Sequence, residues 1–212
     1  MMFEIKDLSL HFETPSISSV SVSLSLQKGE ICAITGPSGV GKSSLLLAIA
    51  GFLMPHKGDL LFDGHSFADK PVWERPVSCL FQTDNLFTHL SVRRNIMMGA
   101  PSSQPKDEKE RHLVEICRSL DISDIIEKKA SDISGGQQQR VGLARSLLSE
   151  KNILLLDEPF SALDRENRQK ALTLVRDITR IHQLVTLIVT HDEDDISWLD
   201  ARSMRMVREP IS

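Results

Sequence analysis

Between two apolar segments, Ile31-Cys-Ala-Ile-Thr35 and Leu45-Leu-Leu-Ala-Ile-Ala50, the chain carries Gly36, Pro37, Ser38, Gly39, Val40, Gly41, Lys42, Ser43 and Ser44. The spacing is G-x-x-x-x-G-K-[ST], which constrains the local fold to strand, loop, helix. Its glycines let successive backbone N–H groups turn toward one anion, and the helix that follows points its positive dipole end at the same place. In this pattern Lys42 reaches the β- and γ-phosphates of a nucleotide and the Ser43 hydroxyl ligates Mg²⁺. The alternative is a glycine-rich turn with no ligand, and both flanks argue against it.

With 212 residues, the chain has room for one large domain or two small subdomains on a shared core. A formal charge of −4 speaks against a protein that coats nucleic acid. No apolar run has the length of a bilayer span, and the acid at Glu4 is not what a secretory leader carries. Cys32, Cys79 and Cys117 are isolated and fit neither a disulfide framework nor zinc spacing, so we expect thiols in a reducing cytosol.

Hydrophobic periodicity sets out the rest. Leu8, Leu10 and Phe12, then Val20, Val22, Leu24 and Leu26, alternate as half-buried antiparallel strands do. Leu60 to Phe62, with Asp63-Gly64, reads as an edge strand and turn. The runs 77–81, 153–156 and 185–190 read as strands covered on both faces. Helical faces fall at Leu113, Ile116, Cys117 and Leu120, and at Ala171, Leu174, Val175, Ile178 and Ile181. Strands joined by helices predict a parallel sheet with right-handed crossovers. Residues 91–148 hold only helical signals and are expected to form a helical subdomain set off from the sheet.

Two further constellations carry chemistry. The strand Ile153-Leu-Leu-Leu-Asp157 ends in an acid, followed by Glu158, at the strand end where α/β sheets bind ligands. Asp157 suits the Mg²⁺ shell, and Glu158, pointing elsewhere, suits orienting or deprotonating a water. Ser134, Gly135, Gly136 and Gln137 open a helix: Ser134 is an N-cap, and the glycines leave the first N–H groups open to close approach by a second anion. If these elements do not face one phosphate within a subunit, two subunits must share a nucleotide.

With these motifs in this order, the chain resembles the ATP-binding-cassette ATPases over nearly its whole length. Ile133-Ser134-Gly135-Gly136-Gln137 is similar to that family's L-S-G-G-Q signature. The resemblance implies an α/β phosphate-loop fold in one domain over 1–212. A RecA-like core with an N-terminal antiparallel β subdomain (1–90 and 150–212) would carry a mixed or parallel sheet, and 91–149 would form the helical signature subdomain. It implies that Ser134 and Gly136 contact the γ-phosphate of ATP held by the other subunit. It further implies that Gln82 senses Mg²⁺ and the attacking water, that Asp164 in Ser161-Ala-Leu-Asp164 crosses the dimer interface, and that His191 contacts the γ-phosphate. The family stacks adenine on an early aromatic. Phe12 is the best-placed one here, and it is equally well read as core beside Leu8 and Leu10.

The stretch from Arg75 to Ile96 and Glu158-Pro-Phe-Ser-Ala-Leu-Asp164 look most like bacterial importer ATPases, in particular those for thiamine. That likeness implies ATP and Mg²⁺ as cofactors, a homodimer or paired subunit sharing two ATPs, integral membrane permease subunits, a solute-binding protein, and no nucleic acid. It places the chain on the cytoplasmic face of the membrane, with no regulatory domain after Val207. Leu86, Phe87 and Leu90 would line the groove that receives a permease helix. The competing reading is a soluble mechanical ATPase of the same fold acting in DNA repair or translation. Neither the long coiled coils of repair members nor the second cassette of translation members is present in this sequence. A GTPase would carry an Asn-Lys-x-Asp base reader, which is missing.

Overall fold

The structure, a computed structural model, describes residues 2–12, 18–81, 86–149, 151–207 and 209–210. Among the described residues ten strands run in chain order: β1 (Met2–Phe12), β2 (Ser18–Gln27), β3 (Ile31–Thr35), β4 (Lys57–Phe62), β5 (His65–Ser66), β6 (Val77–Leu80), β7 (Ile153–Asp157), β8 (Val185–Val189), β9 (Arg202–Arg205) and β10 (Glu209–Pro210). The α-helices among these residues are α1 (Lys42–Ala50), α2 (Val92–Met97), α3 (Lys106–Ser119), α4 (Gly135–Leu147), α5 (Arg165–Ile181) and α6 (Glu193–Leu199).

The strands form two sheets. One is antiparallel, ordered β10-β2-β1-β4-β5, and the other is parallel, ordered β6-β7-β8-β3-β9. The fold is thus α/β, with an antiparallel sheet beside a parallel one flanked by helices. β4 lies between β1 and β5 rather than at the edge expected of residues 60–62, because the two residues of β5 pair onto it. Such a short strand leaves no periodic trace.

Strand geometry explains where the core sits. Side chains alternate sides along each parallel strand. Cys32, Ile34, Ile153, Leu155, Val185 and Leu187 pack on one side with α1 and the antiparallel sheet. Ile31, Ala33, Leu154, Leu156 and Ile188 face the other way, into a cluster with α2 to α6. Helix α1 is therefore buried between two sheets, which accounts for its nearly unbroken apolar sequence. The helices of residues 91–149 share one continuous apolar cluster with the parallel sheet.

Two other expectations need correction. Strand β6 is an edge, and Val77, Ser78 and Cys79 are only half-buried. On α5 the buried face is Ala171, Leu172, Val175 and Thr179, while Ile181 is 74% exposed. Leu174 and Ile178 pack half-buried on the same cluster, and the Thr179 hydroxyl meets the Thr186 hydroxyl of β8 at 2.7 Å, a buried polar pair that apolar counting overlooks. The thiols are free, and burial pushes Cys32 to about 11, Cys79 to about 12 and Cys117 to about 11, so all three remain protonated.

Candidate active site

Three parallel strands deliver their carboxyl ends to one place. β3 and β7 both pair with β8, and Ile34 and Asp157 lie on either side of Val189. The loop after β3 begins at Gly36, with φ of 139°, where an added Cβ would stand 2.6 Å from the Met206 carbonyl oxygen. Only glycine fits so close an approach. The loop ends at Gly41 (φ 110°), which precedes α1 with no side-chain cap on the helix. No capping side chain takes the first-turn donors of α1, which leaves the helix start suited to an anion. Lys42 is buried to 6% exposure and folds back over the loop, its Nζ donating to the carbonyls of Gly36 (2.9 Å) and Pro37 (3.1 Å).

Asp157 closes β7 at 5% exposure and accepts a hydrogen bond from the Ser43 side chain. Burial pushes its carboxyl above the usual range, and the Ser43 hydrogen bond opposes that. A hydroxyl beside a carboxylate, next to a phosphate cradle, is the hard-oxygen donor set that Mg²⁺ takes together with nucleotide phosphates. The residues present fit the ion.

Glu158 follows in a left-handed conformation (φ 48°), its N–H donating to the Val189 carbonyl at 3.1 Å. That turn sends its side chain away from Asp157 and toward β8, where Glu158 Oε1 lies 2.8 Å from His191 Nε2. A cavity of about 400 Å³ opens beside them, lined in part by Ser161, Arg168 and Asp192. Gly36–Ser44, Asp157, Glu158 and His191 are therefore brought together. Phe12 ends β1 opposite Ser18, but its side chain lies outside the described residues, as does Gln82 altogether.

At the start of α4 the Ser134 hydroxyl accepts from the Gln137 N–H (3.3 Å) while Gln137 Oε1 accepts from the Ser134 N–H (3.0 Å), a reciprocal capping box. Gly135 faces open space, and a Cβ on Gly136 would stand 3.0 Å from the Ala162 carbonyl. Asp164 caps α5, and hydrogen bonds from Asn167 hold its carboxyl below the usual range.

The sequence profile described as ABC transporter matches residues 20–161. The chain belongs to the ABC transporter family. The thiamine import ATP-binding protein ThiQ of Salmonella choleraesuis is 47% identical over 182 residues, covering 85% of this chain and 77% of that protein. The ThiQ of Escherichia coli K12 is 45% identical over 183 residues, covering 86% and 79%. Among solved structures, a dimeric ATP-binding cassette in a post-hydrolysis state, bound to ADP and inorganic phosphate, superposes with a TM-score of 0.84 at 25% identity over 99% of both chains. This ABC cassette is accordingly an importer-type ATPase: it binds ATP and hydrolyses it.

Two polar groups of this ABC cassette escape a reading by motif. Gln139, on α4, bonds to the backbone after Asp157. Arg168, on α5, donates from Nε to Asp195 (2.8 Å) and pairs through Nη2 with Asp192 (2.5 Å), and Thr190 donates to the other Asp195 oxygen at 2.6 Å. The only sequence signals were a run of three glutamines and an arginine one turn after Asp164. Asp195 is 2% exposed, so removing its cation strands a buried carboxylate. Arg168 is 28% exposed at the side chain, and water replaces part of its contribution. Arg168→Ala is expected to lose about 2 kcal/mol of stability in urea melts. An unchanged midpoint would show that Asp195 does not depend on this pair.

Proposed function

We propose that two copies of this chain clamp two ATP molecules between them and, by hydrolysing them, drive a membrane permease that imports a solute, thiamine being the solute its relatives' names indicate. Permease subunits and a solute-binding protein complete the assembly, and the cassette sits on the cytoplasmic face. Among the described residues no helix is long and apolar enough to cross a membrane.

One observation carries the shared-site reading. The start of α4, held in shape by its Ser134–Gln137 capping box, faces open space at Gly135, while the cassette's own phosphate loop lies at the head of a different helix, α1. In this reading the loop Gly36–Gly41 and Lys42 hold the β- and γ-phosphates, and Phe12 stacks on adenine. Ser43 and Asp157, with Gln82, hold Mg²⁺, which when bound neutralises charge on the phosphates. Glu158 orients and deprotonates the attacking water, held in place by His191, which also contacts the γ-phosphate. Ser134, Gly135, Gly136 and Gln137 reach the γ-phosphate of the partner copy, and Asp164 lies at the seam. Residues 91–149 act as the signature-bearing helical subdomain against a core of 1–90 and 150–212.

For the permease, the exposed apolar side chains Phe52, Met54, Trp73 and Phe87 supply a docking surface, with the Phe52 ring edge-on to Phe81 at 5.8 Å. Leu86 packs inward against the helical cluster, so it belongs to the support of that surface rather than to its wall.

Ser134→Arg tests the shared site. Nucleotide binding by the single subunit is expected to match the wild type, while sedimentation with Mg-ATP shows no dimer. Normal ATP-driven pairing of that variant would end the model. Capture of ribosomes or DNA in place of an integral membrane protein would overturn the transport assignment.

A further inference from the structure

Glu158 holds a backbone conformation that a non-glycine residue adopts only at a cost of about 1–2 kcal/mol, so its neighbours must enforce it. Its carbonyl oxygen accepts from the Ser161 N–H (3.3 Å), from the Ser161 hydroxyl (3.1 Å) and from Gln139 Nε2 (3.0 Å). The same Gln139 amide nitrogen lies 3.3 Å from the Ser161 hydroxyl, and Gln139 Oε1 accepts from the Ala162 N–H at 3.1 Å. Both ends of one carboxamide are thus spent on the single turn from Glu158 to Ala162. The amide orientation follows from chemistry, because a carbonyl can only accept and an N–H can only donate.

Gln139 projects from α4 one turn beyond Gly135, at the end of the helix that begins with the Ser134 cap. The first turn of α4 also lies close against the same segment, since a Cβ on Gly136 would stand 3.0 Å from the Ala162 carbonyl oxygen, tighter than an ordinary contact. An α-helix moves as a rigid body over one turn, so a displacement of Ser134–Gln137 is carried into the Glu158 backbone through these bonds. We propose that Gln139 is a positioning residue for hydrolysis, which sets the Glu158 carboxylate from the signature helix of the same subunit and so links the phosphate-sensing turn given to a partner with the water-activating group kept at home.

This proposal rests on the reading of Glu158 as the group that activates water. Gln139→Leu keeps the bulk and removes every hydrogen bond. Gln139→Glu keeps the acceptor for Ala162 but sets a carboxylate against the Glu158 carbonyl. Both variants are expected to lose about 10- to 100-fold in kcat while the KM for ATP and ATP-driven dimerisation stay at wild-type values, because geometry at the reacting water is lost and not binding. In a Glu158→Gln background, Gln139→Leu should cause no further loss in the slow residual hydrolysis, since the group it positions has already been disabled. A full multiplicative loss in that background would overturn the proposal, as would a fall in dimerisation equal to the fall in kcat. If Gln139→Leu folds poorly, Gln139→Glu decides alone: wild-type kcat in that variant also overturns it. Failure of the underlying reading shows separately, as full activity of the Glu158→Gln single variant.

Discussion

Replacing Glu158 by Gln is expected to lower steady-state ATP turnover by about 10²- to 10⁴-fold, the range that a positioned general base contributes. The exchange is nearly isosteric. An amide oxygen can still lie where Glu158 Oε1 meets His191 Nε2 at 2.8 Å, so the local packing survives. What disappears is the capacity to take a proton from water. In the proposed site nucleotide binding rests on Gly36–Ser44 and Asp157, which the substitution leaves alone, so the affinity for ATP should hold within a few-fold. Two consequences follow in sedimentation and in turnover assays: ATP should trap the dimer rather than cycle it, and phosphate release should nearly cease. Turnover within threefold of the wild type would remove Glu158 from the reaction and leave His191 as the group to test next.

Arg75→Ala is expected to destabilise the fold by about 4 kcal/mol, which for a chain of this size means a fall in Tm of roughly 10 °C. Arg75 is 2% exposed. Its guanidinium donates to the carbonyls of Ala48 and Ile49 at 2.9 Å each, to Lys70 at 2.9 Å, and to Ala68. Burial lowers its pKa, with the Asp69 charge opposing. The first two acceptors end α1, where the helix dipole is negative and favours a cation. Removing the guanidinium leaves these carbonyls without their donor in a site that water barely reaches. Arg75→Lys should rescue little, because a compact ammonium cannot span acceptors spread over two segments. A melting curve within 2 °C of the wild type for Arg75→Ala would show that the carbonyls find other donors.

The parts legible in the sequence are those whose physics is local. A phosphate loop needs its glycines and its lysine at fixed short spacing, and a buried strand ending in acids announces itself over a few residues, so β3, α1, β7 and Asp157 could be located at once. The capping box at Ser134 is equally local. The ties among these elements were not legible. Glu158 meets His191, Gln139 meets Ser161, and Arg168 meets Asp195 across gaps in sequence that no periodicity spans. Arg75 looks like any surface arginine until the fold closes α1 over it. On α5 Ile181 departs from the expected apolar face, while Thr179, invisible to a hydrophobicity count, is buried through its hydroxyl pair with Thr186.

Alternate residues of β3, β7 and β8 belong to opposite cores. Adding or deleting one residue upstream within any of these strands would exchange the two sets and rotate the loop at its end by half a turn. The distance in residues from the body of each strand to its reactive tip is therefore not free to drift. In this chain an inserted residue is therefore expected to be tolerated in a surface connection such as 101–105 far better than in the strands leading to Gly36, Asp157 and His191.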